Sequence, residues 1–471
     1  MARPRSLSCF LGAAALGVSL LAAAAGTGVN APASDAVRAQ AREIFAHIVG
    51  VESSIGKGNV PLVAKYLAER FKAGGFSDAD IHILPSGETA SLVVRYRGKG
   101  GGKPIALMAH MDVVTAKRSD WQRDPYTLTE ENGFFYGRGT SDVKQEVALL
   151  TATFLRLKAE GFVPPRDLII AFSGDEETAQ ATARDLVTTH RDLVDAEFAL
   201  NGDGGGGVLS EGTAKPLIFY VQGAEKSSAQ FLLTTHNPGG HSSQPRSDNA
   251  IYDLADALKA VQRYEFPVMS NEWTLGDFKA ASKVTEGPLG AAMARFAADP
   301  GNAVAAAEIS KNPAFIGRIR TTCVATMLVG GHAENALPQS ATATINCRIF
   351  PGTSADDVQK TLQGLVGPKV DVRQGYDALV SNASPMRADV MRAVAKAVGA
   401  SDPGAPVVPT QAAYATDGAV FRNAGIPTYG AGGVFIMNSE MFAHGLNERI
   451  RVKEFYNGLV YWYVLIKALA G

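Results

Sequence analysis

The sequence predicts an α/β protein whose larger domain has a doubly wound, mostly parallel sheet and carries an inserted, smaller α+β domain. Two observations predict the larger domain. Apolar runs of strand length, 105–110 and 168–173, end in polar residues, and segments of helical periodicity alternate with such runs. A third observation predicts the inserted domain: the pattern of predicted strands and helices changes near Gly223. The 471 residues exceed one ordinary hydrophobic core, which agrees with two domains.

The N-terminus has the pattern of a secretory signal peptide over residues 1–26. Arg3 and Arg5 precede an apolar run from Leu7 to Ala25, which ends in small residues typical of a cleavage site. An uncleaved membrane anchor is the alternative, because the run approaches the ~20 residues that span a bilayer. We therefore expect a periplasmic or secreted protein. The 45 basic and 46 acidic residues balance, which excludes an electrostatic surface for nucleic acid.

The larger domain is predicted to comprise residues 35–223 and 377–471. Its first helix covers 35–49, where apolar residues recur on one side, and Asn59 with Pro61 indicates the start of a second helix. Strands and helices then alternate, as in a sheet covered on both faces. The predicted elements are strands 81–84, 91–96, 105–110, 168–173, 198–201 and 427–430, and helices 142–160, 179–190 and 386–398, with a last helix after 452.

The inserted domain is predicted over 224–376. Its elements follow a β-α-β-β-α-β order, which is typical of a ferredoxin-like sandwich. Ala-rich residues at about 267–322 interrupt that order and are expected to form a helical insertion. The elements are strands 228–235, 324–329, 341–350 and 370–373, with helices 249–262 and 354–366.

Two cysteines, Cys323 and Cys347, remain after the predicted cleavage. They lie at equal distance from the turn around Asn335, on stretches that could pair as a hairpin. A cross-strand disulfide in an oxidising compartment and two buried free thiols both agree with this pattern.

Four stretches place His and acidic residues at points where ligand sites form in α/β proteins. His110 and Asp112 follow the apolar run 105–109, at the end of a predicted strand. Adjacent acids at 175–177 follow the second run, where a cation would relieve their repulsion. A glycine-rich turn leads to Asp142, and His444 precedes the last helix.

Taken in order, these motifs resemble the co-catalytic di-zinc exopeptidase family. That family includes carboxypeptidases of the G and S types, aminoacylases, dipeptidases and succinyl-diaminopimelate desuccinylase. The resemblance covers about residue 36 to the C-terminus, and the residues around Asp120, Leu157 and Ala196 are more similar to the carboxypeptidase S branch. The motifs are His110-Met111-Asp112, Gly137 to Asp142, Gly174 to Glu177, Gly239-Gly240-His241 and His444-x-x-Asn447-Glu448.

The resemblance implies two Zn²⁺ ions per subunit, with Co²⁺ or Mn²⁺ as possible substitutes. Asp142 would bridge the ions, with His110 and Asp203 on one and Glu177 and His444 on the other. A helix N-cap is the structural alternative for Asp142, and an ordinary loop histidine is the alternative for His444. Asp203 follows Gly202, where many relatives carry Glu, so its role depends on a one-residue offset.

The resemblance also implies the roles of other residues. Glu176 would be the general base that takes a proton from metal-bound water, and Asp112 would orient His110. His241 would stabilise the oxyanion, often in the partner subunit of a homodimer. Asn335 and Arg348 would hold a substrate carboxylate, with N–H groups donated by the loop around Gly432.

The expected function is hydrolysis of a peptide or N-acyl-amino-acid amide bond next to a free carboxylate. An aminoacylase or dipeptidase with a different side-chain preference is the first alternative. A binding module that kept the fold and lost the chemistry is the second.

Overall fold

The computed structural model describes residues 32–376, 378–379 and 382–470. The predicted signal peptide, residues 1–26, and the predicted boundary residue Asp377 lie outside these ranges. A search of the described residues finds no helix with the length and apolar character needed to cross a bilayer.

Helices and strands alternate along most of the described chain. The helices are α1 Asp35–Val49, α2 Val60–Ala73, α3 Lys144–Ala159, α4 Ala181–Thr188, α5 Arg191–Val194, α6 Ala250–Arg263, α7 Glu272–Ala281, α8 Gly287–Ala298, α9 Ala303–Ser310, α10 Pro313–Ile316, α11 Ala355–Val366, α12 Ala388–Ser401, α13 Gly418–Asn423 and α14 Val452–Ala470. The strands are β1 Ile81–Ser86, β2 Thr89–Tyr96, β3 Ile105–His110, β4 Thr129–Glu131, β5 Phe134–Tyr136, β6 Leu168–Ser173, β7 Phe198–Asn201, β8 Gly206–Leu209, β9 Pro216–Glu225, β10 Ser227–His236, β11 Gly240–His241, β12 Thr322–Gly330, β13 Ala336–Leu337, β14 Ser340–Ile349, β15 Val370–Gln374, β16 Val407–Ala412, β17 Thr428–Gly430, β18 Phe435–Met437 and β19 Arg449–Arg451. Short 3-10 turns occur at Asp78–Asp80, Arg118–Asp120 and Asn438–Glu440.

A ten-stranded sheet organises the larger part of the fold, in the order β1-β2-β6-β3-β7-β17-β9-β8-β18, with β16 paired to β9. Strands β6, β3, β7 and β17 are parallel neighbours at its centre. Every residue of β3 and β6 is buried, as the uninterrupted apolar runs predict for strands covered on both faces. The predicted α/β class is confirmed.

Alternate residues of β3 enter two different hydrophobic cores. Leu107 belongs to the core that includes α1, α3 and α14, whereas Met108 belongs to the core that includes α4 and α13. Since successive side chains of a strand point to opposite faces, helices cover both faces of the sheet. This arrangement is the doubly wound one that the sequence predicts.

A separate four-stranded antiparallel sheet has the order β12-β14-β10-β15. Helices α6 and α11 pack on it around a core that includes Phe231, Leu254 and Ile345. The chain order β10-α6-β12-β14-α11-β15 is the predicted β-α-β-β-α-β order. Helices α7 to α10 interrupt it, as expected for a helical insertion, and have a small core of their own.

Cys323 lies directly opposite Cys347 in the β12–β14 pair, and the two form a disulfide. The alternative of two free thiols is therefore wrong.

Two sequence predictions about elements differ from the structure. Helix α3 begins at Lys144 and not at Asp142, and Val143 is its N-cap residue. The Asp142 side chain does not cap the helix, so the structural alternative for this residue is wrong. Strand β9 continues through Gly223 to Glu225, so the predicted domain boundary falls inside a strand of the large sheet. The domain limits themselves stay a prediction.

Candidate metal centre

Three neighbouring parallel strands bring acidic and imidazole side chains to one edge of the large sheet. His110 is the last residue of β3, Glu176 and Glu177 follow β6, and Asp203 follows β7. Because β6, β3 and β7 are adjacent and parallel, their C-terminal ends meet at the same edge. The strand order thus explains how residues far apart in the sequence converge.

The Asp142 carboxylate lies between two imidazoles. Its Oδ1 is 3.2 Å from His110 Nε2, and its Oδ2 is 3.1 Å from His444 Nε2. His444 has a positive φ of 62° in the loop before β19, which turns its ring toward Asp142. One carboxylate that presents an oxygen to each imidazole has the position of a bridging ligand.

A further carboxylate lies beside each imidazole. Asp203 Oδ2 is 3.9 Å from His110 Nε2, and Glu177 Oε1 is 3.0 Å from His444 Nε2. Ligand atoms of His110, Asp142 and Glu177 lie within 4.8 Å of one another, and so do those of His110, Glu176 and Asp203. The structure therefore brings together all five residues for which the sequence predicts metal ligation.

The charges of this cluster are those of a cation site. Burial raises the pKa of Asp203 and Glu176 well above their usual range, and nearby carboxylates add to the effect. Burial also raises the pKa of Glu177. Although burial opposes it, hydrogen bonds with His110 and His444 hold the pKa of Asp142 well below its usual range. Imidazole nitrogens and carboxylate oxygens in one cluster fit a pair of divalent transition ions.

Asp112 holds the His110 ring on the side that faces away from Asp142. The ring Nδ1 lies 3.0 Å from the backbone oxygen of Asp112 and 3.4 Å from Asp112 Oδ1. With the proton on Nδ1, that nitrogen donates to Asp112, and Nε2 presents a lone pair to the cluster. The Asp112 carboxylate also accepts from the backbone N–H groups of Glu176 and Glu177, both at 3.1 Å. Asp112 thus positions the residues after β6 as well as the imidazole.

Glu448 has a role that the sequence analysis did not assign. Its carboxylate is fully buried and accepts five hydrogen bonds at the glycine-rich turn before Asp142. Arg138 Nη1 donates at 2.6 Å, and the backbone N–H of Asp142 donates at 3.1 Å. Arg138 Nη2 also donates to the backbone oxygen of His444, at 3.3 Å. Glu448 and Arg138 therefore connect the loops that carry Asp142 and His444.

A cavity of about 390 Å³ opens in front of the cluster. Its wall includes Glu176, Asp203, Tyr414 and Gly432. The Gly432 N–H donates to the Gly204 oxygen at 2.8 Å. This N–H is therefore bonded within the protein, and a Cβ at residue 432 would lie 2.6 Å from the Gly202 oxygen, which leaves no room for a side chain. The role of the loop around Gly432 in holding a substrate stays a prediction.

Glu146 explains the glycine at position 202. A Cβ at Gly202 would lie 2.8 Å from Glu146 Cβ, so a side chain there has no room. Glu146 itself is buried and accepts from Gly433 N–H at 2.8 Å and from Trp462 Nε1 at 2.5 Å. The Glu146 side chain occupies the space beside residue 202, so residue 202 cannot carry a ligand side chain. The next residue, Asp203, provides the carboxylate instead.

Three of the predicted site residues lie away from the cluster. His241 and Asn335 are exposed and adjacent to each other, where β11 pairs with β13 and Ser242 N–H donates to the Asn335 oxygen at 3.0 Å. Arg348 lies on β14 and lines a different cavity. None of the three lines the cavity of the metal cluster within this subunit, as far as the described residues show.

The doubly wound fold and the His and carboxylate cluster are those expected of a metal-dependent hydrolase. The model of Peptidase family M20/M25/M40 matches residues 106–468, and the chain belongs to this family.

Curated relatives include the N-fatty-acyl-amino acid synthase/hydrolase PM20D1 of Xenopus tropicalis, which is 28% identical over 77% of this chain and 71% of its own length. The probable carboxypeptidase S-like 2 of Dictyostelium discoideum is 26% identical over 80% of this chain and 74% of its own. A solved structure, the M20 family metallo-carboxypeptidase Sso-CP2 of Sulfolobus solfataricus, superposes with a TM-score of 0.70 at 17% identity and covers 92% of this chain and 99% of its own. The predicted family resemblance and enzyme class are confirmed.

Proposed function

We propose that this protein is an exported, zinc-dependent hydrolase that cuts a peptide or N-acyl-amino-acid amide bond next to a free carboxylate. One observation carries the proposal. The two oxygens of Asp142 face His110 and His444 at 3.2 and 3.1 Å, and each imidazole has a second carboxylate beside it. Such an arrangement of donors suits two cations that share one carboxylate.

His110 and Asp203 would hold one ion and His444 and Glu177 the other, with Asp142 shared. When bound, divalent ions of this kind lower the pKa of water and polarise a carbonyl oxygen. The protein fixes its ligands before any substrate arrives, because Asp112 holds His110 and Glu448 holds the turn of Asp142.

Glu176 is the proposed general base. It lines the cavity next to the ligand residue Glu177, and Gln180 Nε2 donates to its Oε1 at 3.3 Å. In the reaction, the carboxylate would take a proton from the attacking water and pass it to the leaving nitrogen. Burial raises the pKa of Glu176 above its usual range, and a raised pKa would favour this second step.

The substrate class rests on the relatives. PM20D1 is named as an N-fatty-acyl-amino acid synthase/hydrolase, and the Dictyostelium protein as a probable carboxypeptidase. Both names describe substrates in which an amide bond adjoins an amino acid. An aminoacylase or dipeptidase with another side-chain preference remains the alternative. A module without catalysis is disfavoured because all five proposed ligands and the proposed base converge.

Export and dimerisation are part of the same proposal. The Cys323–Cys347 disulfide supports an oxidising compartment, and the N-terminal sequence supports secretion. Strand β12 supports a homodimer, because it lies at the edge of the small sheet and exposes Val324, Met327, Leu328 and Val329. An apolar edge strand is a surface on which a second chain can pair.

Metal removal tests the proposal directly. Dialysis against a chelator should abolish hydrolysis of a panel of N-acyl amino acids and dipeptides, and Zn²⁺ should restore it. We expect Co²⁺ or Mn²⁺ to restore part of the activity. Elemental analysis of the purified protein should find about two ions per chain. Activity that survives complete removal of the metal would contradict the proposal.

A further inference from the structure

A glycine-rich loop carries Asp203, one of the proposed metal ligands. Residues 202–206 contain four glycines besides Asp203, and Gly205 has a positive φ of 67°. Glycine adopts more backbone conformations than other residues, so this loop does not fix the direction of the Asp203 side chain by itself. Contacts with the rest of the protein must therefore hold the ligand in place.

Asn201, the last residue of β7, holds the backbone of Asp203. The Asp203 N–H donates to Asn201 Oδ1 at 3.0 Å. An Asn side chain that accepts from the N–H two residues further on forms a local turn. Asn201 is only 3% exposed, so its side-chain amide needs partners within the protein. The orientation of that amide decides whether an oxygen or an NH2 group faces the Asp203 N–H.

Thr416, in the loop before α13, fixes the orientation of the Asn201 amide. Asn201 Nδ2 donates to Thr416 Oγ1 at 3.1 Å, and Thr416 Oγ1 donates to Glu225 Oε2 at 3.0 Å. A hydroxyl has one proton and a carboxylate only accepts, so the Thr416 proton goes to Glu225. The Thr416 oxygen can then only accept, which requires the NH2 group of Asn201 on this side. The Asn201 oxygen is thereby directed toward the Asp203 N–H.

Glu225, the last residue of β9, is the end of this chain of hydrogen bonds. It is 1% exposed, forms an ion pair with Arg422 and accepts from Gln222 Nε2 at 2.8 Å. Although burial raises the pKa of Glu225, the Arg422 guanidinium and the Thr416 hydroxyl favour the ionised carboxylate. Gln222 Oε1 in turn accepts from the Gly205 N–H at 3.3 Å. One buried carboxylate therefore holds the glycine-rich loop at two points, on either side of the ligand.

We propose that Thr416, acting through Asn201, is a positioning residue that holds Asp203 in the place where it can bind a metal ion. The negative charge of Glu225 gives the hydrogen bonds their direction. The inference rests on the proposed function and deepens it, because it concerns how the protein prepares one of the proposed ligands.

Thr416 lines the metal cavity, but its hydroxyl has no capacity left for a substrate. The hydroxyl donates its proton to Glu225 and accepts from Asn201 Nδ2 and from the Gly418 N–H, the latter at 3.0 Å. A hydroxyl has one proton and two lone pairs, so these three bonds use all of them. The effect of Thr416 should therefore appear in metal binding and not in contacts with the substrate.

Zinc binding by the metal-free protein tests the inference without turnover. We would remove the metal by dialysis against a chelator and titrate the full chain with Zn²⁺ in competition with a chromophoric chelator. Thr416→Val keeps the shape of the side chain and removes the hydroxyl. It should bind one of the two ions about 10–100-fold more weakly than wild type, as is typical when a contact that orients a ligand is lost. Thr416→Ser keeps the hydroxyl and should bind both ions as wild type does.

A second change at Asp203 shows whether Thr416 acts through this ligand. Asp203→Asn removes the ligand charge and keeps the backbone N–H that donates to Asn201. In the Asp203→Asn background, Thr416→Val should cause less than about threefold further loss of zinc affinity, because both changes weaken the same contact. An equal loss in both backgrounds would overturn the inference. Wild-type zinc affinity in Thr416→Val, or an equal loss in Thr416→Ser, would also overturn it.

Thr410→Val is the matched control. Thr410 Oγ1 donates to Asp277 Oδ2 at 2.9 Å, and the buried Asp277 pairs with Arg318 at 2.7 Å, so this change also removes a hydroxyl that donates to a paired carboxylate. The variant should bind zinc as wild type does, and a loss as large as that of Thr416→Val would contradict the inference. Circular dichroism shows whether each variant folds. Thr416→Ala, with the same expected result, takes the place of Thr416→Val if the valine variant does not fold.

Hydrolysis assays keep the two proposals distinct. If the wild type binds two ions and cleaves N-acyl amino acids but Thr416→Val keeps its zinc affinity, the function stands and the role of Thr416 is refuted. If Thr416→Val loses zinc affinity as expected but the wild type cleaves no amide, the positioning role stands and the proposed function fails.

Discussion

Glu176 and Glu177 are adjacent in the chain, yet their surroundings assign them different chemistry. Glu177 reaches His444 Nε2 at 3.0 Å, on the side of the cluster that Asp142 shares. Glu176 lines the cavity, and its carboxylate accepts a hydrogen bond from Gln180 and not from an imidazole. A carboxylate that lies near the cluster without contacting a ligand imidazole is free to carry protons.

Glu176→Gln should therefore lower kcat by about 10²–10⁴-fold and leave the KM and the metal content close to wild type. The amide keeps the shape of the side chain and loses the ability to accept a proton. Steady-state kinetics and elemental analysis of the same sample measure both effects. Glu69→Gln, an exposed change on α2, is the matched control. Full activity of Glu176→Gln would refute its role as the base.

Glu448 is expected to matter for stability and for metal binding. Replacement by Gln removes a buried charge that faces Arg138 and leaves the guanidinium uncompensated. Loss of one partner of a buried ion pair costs about 3–5 kcal/mol. Chemical denaturation should show a loss of this size, and metal affinity should fall about 10–100-fold. Glu130→Gln, which changes an exposed pair with Arg42, should cost less than about 1 kcal/mol. Equal effects of the two variants would contradict the special role of Glu448.

The family resemblance assigned all five proposed ligands, which the structure brings together, but it did not assign Glu448, which supports them. The residues His110, Glu177 and Asp203 each follow an apolar run, which is a local signal of a strand end, but the ligand role of all five residues came from the family resemblance. Glu448 was part of a matched motif, but its contact with Asp142 joins residues 306 positions apart. No local pattern shows that contact.

Helices α12 and α14 meet at a buried pair of acids. Asp402, at the end of α12, and Glu454, in the first turn of α14, are both almost fully buried, and Asn457 Nδ2 donates to Asp402 Oδ1 at 2.7 Å. Burial raises the pKa of both carboxyl groups, and the charge of Asp402 raises that of Glu454 further. The folded protein therefore holds protons here that the unfolded chain releases.

A raised pKa makes stability fall as the pH rises. Below the unfolded values of about 4 the acids are neutral in both states, and above them the folded state must ionise buried groups. In the Asp402→Asn variant, the free energy of unfolding should depend less on pH above about 4. The variant protein should be more stable than wild type at pH 8. Denaturant unfolding at pH 5 and pH 8 measures the difference between the two proteins. Asp256→Asn, an exposed change on α6, should leave the profile unchanged.

Elements in which apolar residues form a clear pattern were predicted well, and a glycine-rich strand was not. Helix α1 and strands β6 and β7 have the predicted bounds, since a strong apolar pattern defines each of them. Strand β8 consists of Gly206–Leu209, directly after Gly204 and Gly205, and is not among the strands predicted from the sequence. Its strand conformation depends on pairing with β9 and β18, which the sequence of the segment does not encode.

His241, like Asn335 and Arg348, does not line the metal cavity of its own subunit in the described part of the chain. His241 is exposed on the small two-stranded sheet, and the described lining of the metal cavity does not include it. The apolar edge of β12 offers a surface on which a second copy can pair. In a dimer of this kind each subunit can supply His241 to the metal centre of the other.

Complementation between two inactive variants tests this arrangement. Glu176→Gln disables the metal centre of its own subunit, whereas His241→Ala disables the residue that the subunit supplies to its partner. In a heterodimer of the two variants, the intact centre of one subunit meets the intact His241 of the other. One of the two sites is then complete, so tandem-tagged heterodimers should have about half of the wild-type activity.

The control heterodimer combines Glu176→Gln with His444→Ala, which both disable the metal centre of their own subunit. It should stay inactive, because neither of its centres is complete.

Replacement of Leu328 by Asp on β12 should give monomers in light scattering and should lower the activity of otherwise wild-type protein, because a charge that a dimer would bury at this edge prevents pairing. An inactive Glu176→Gln/His241→Ala heterodimer would show that His241 acts within its own subunit, and an active His241→Ala homodimer would show that His241 has no role in catalysis.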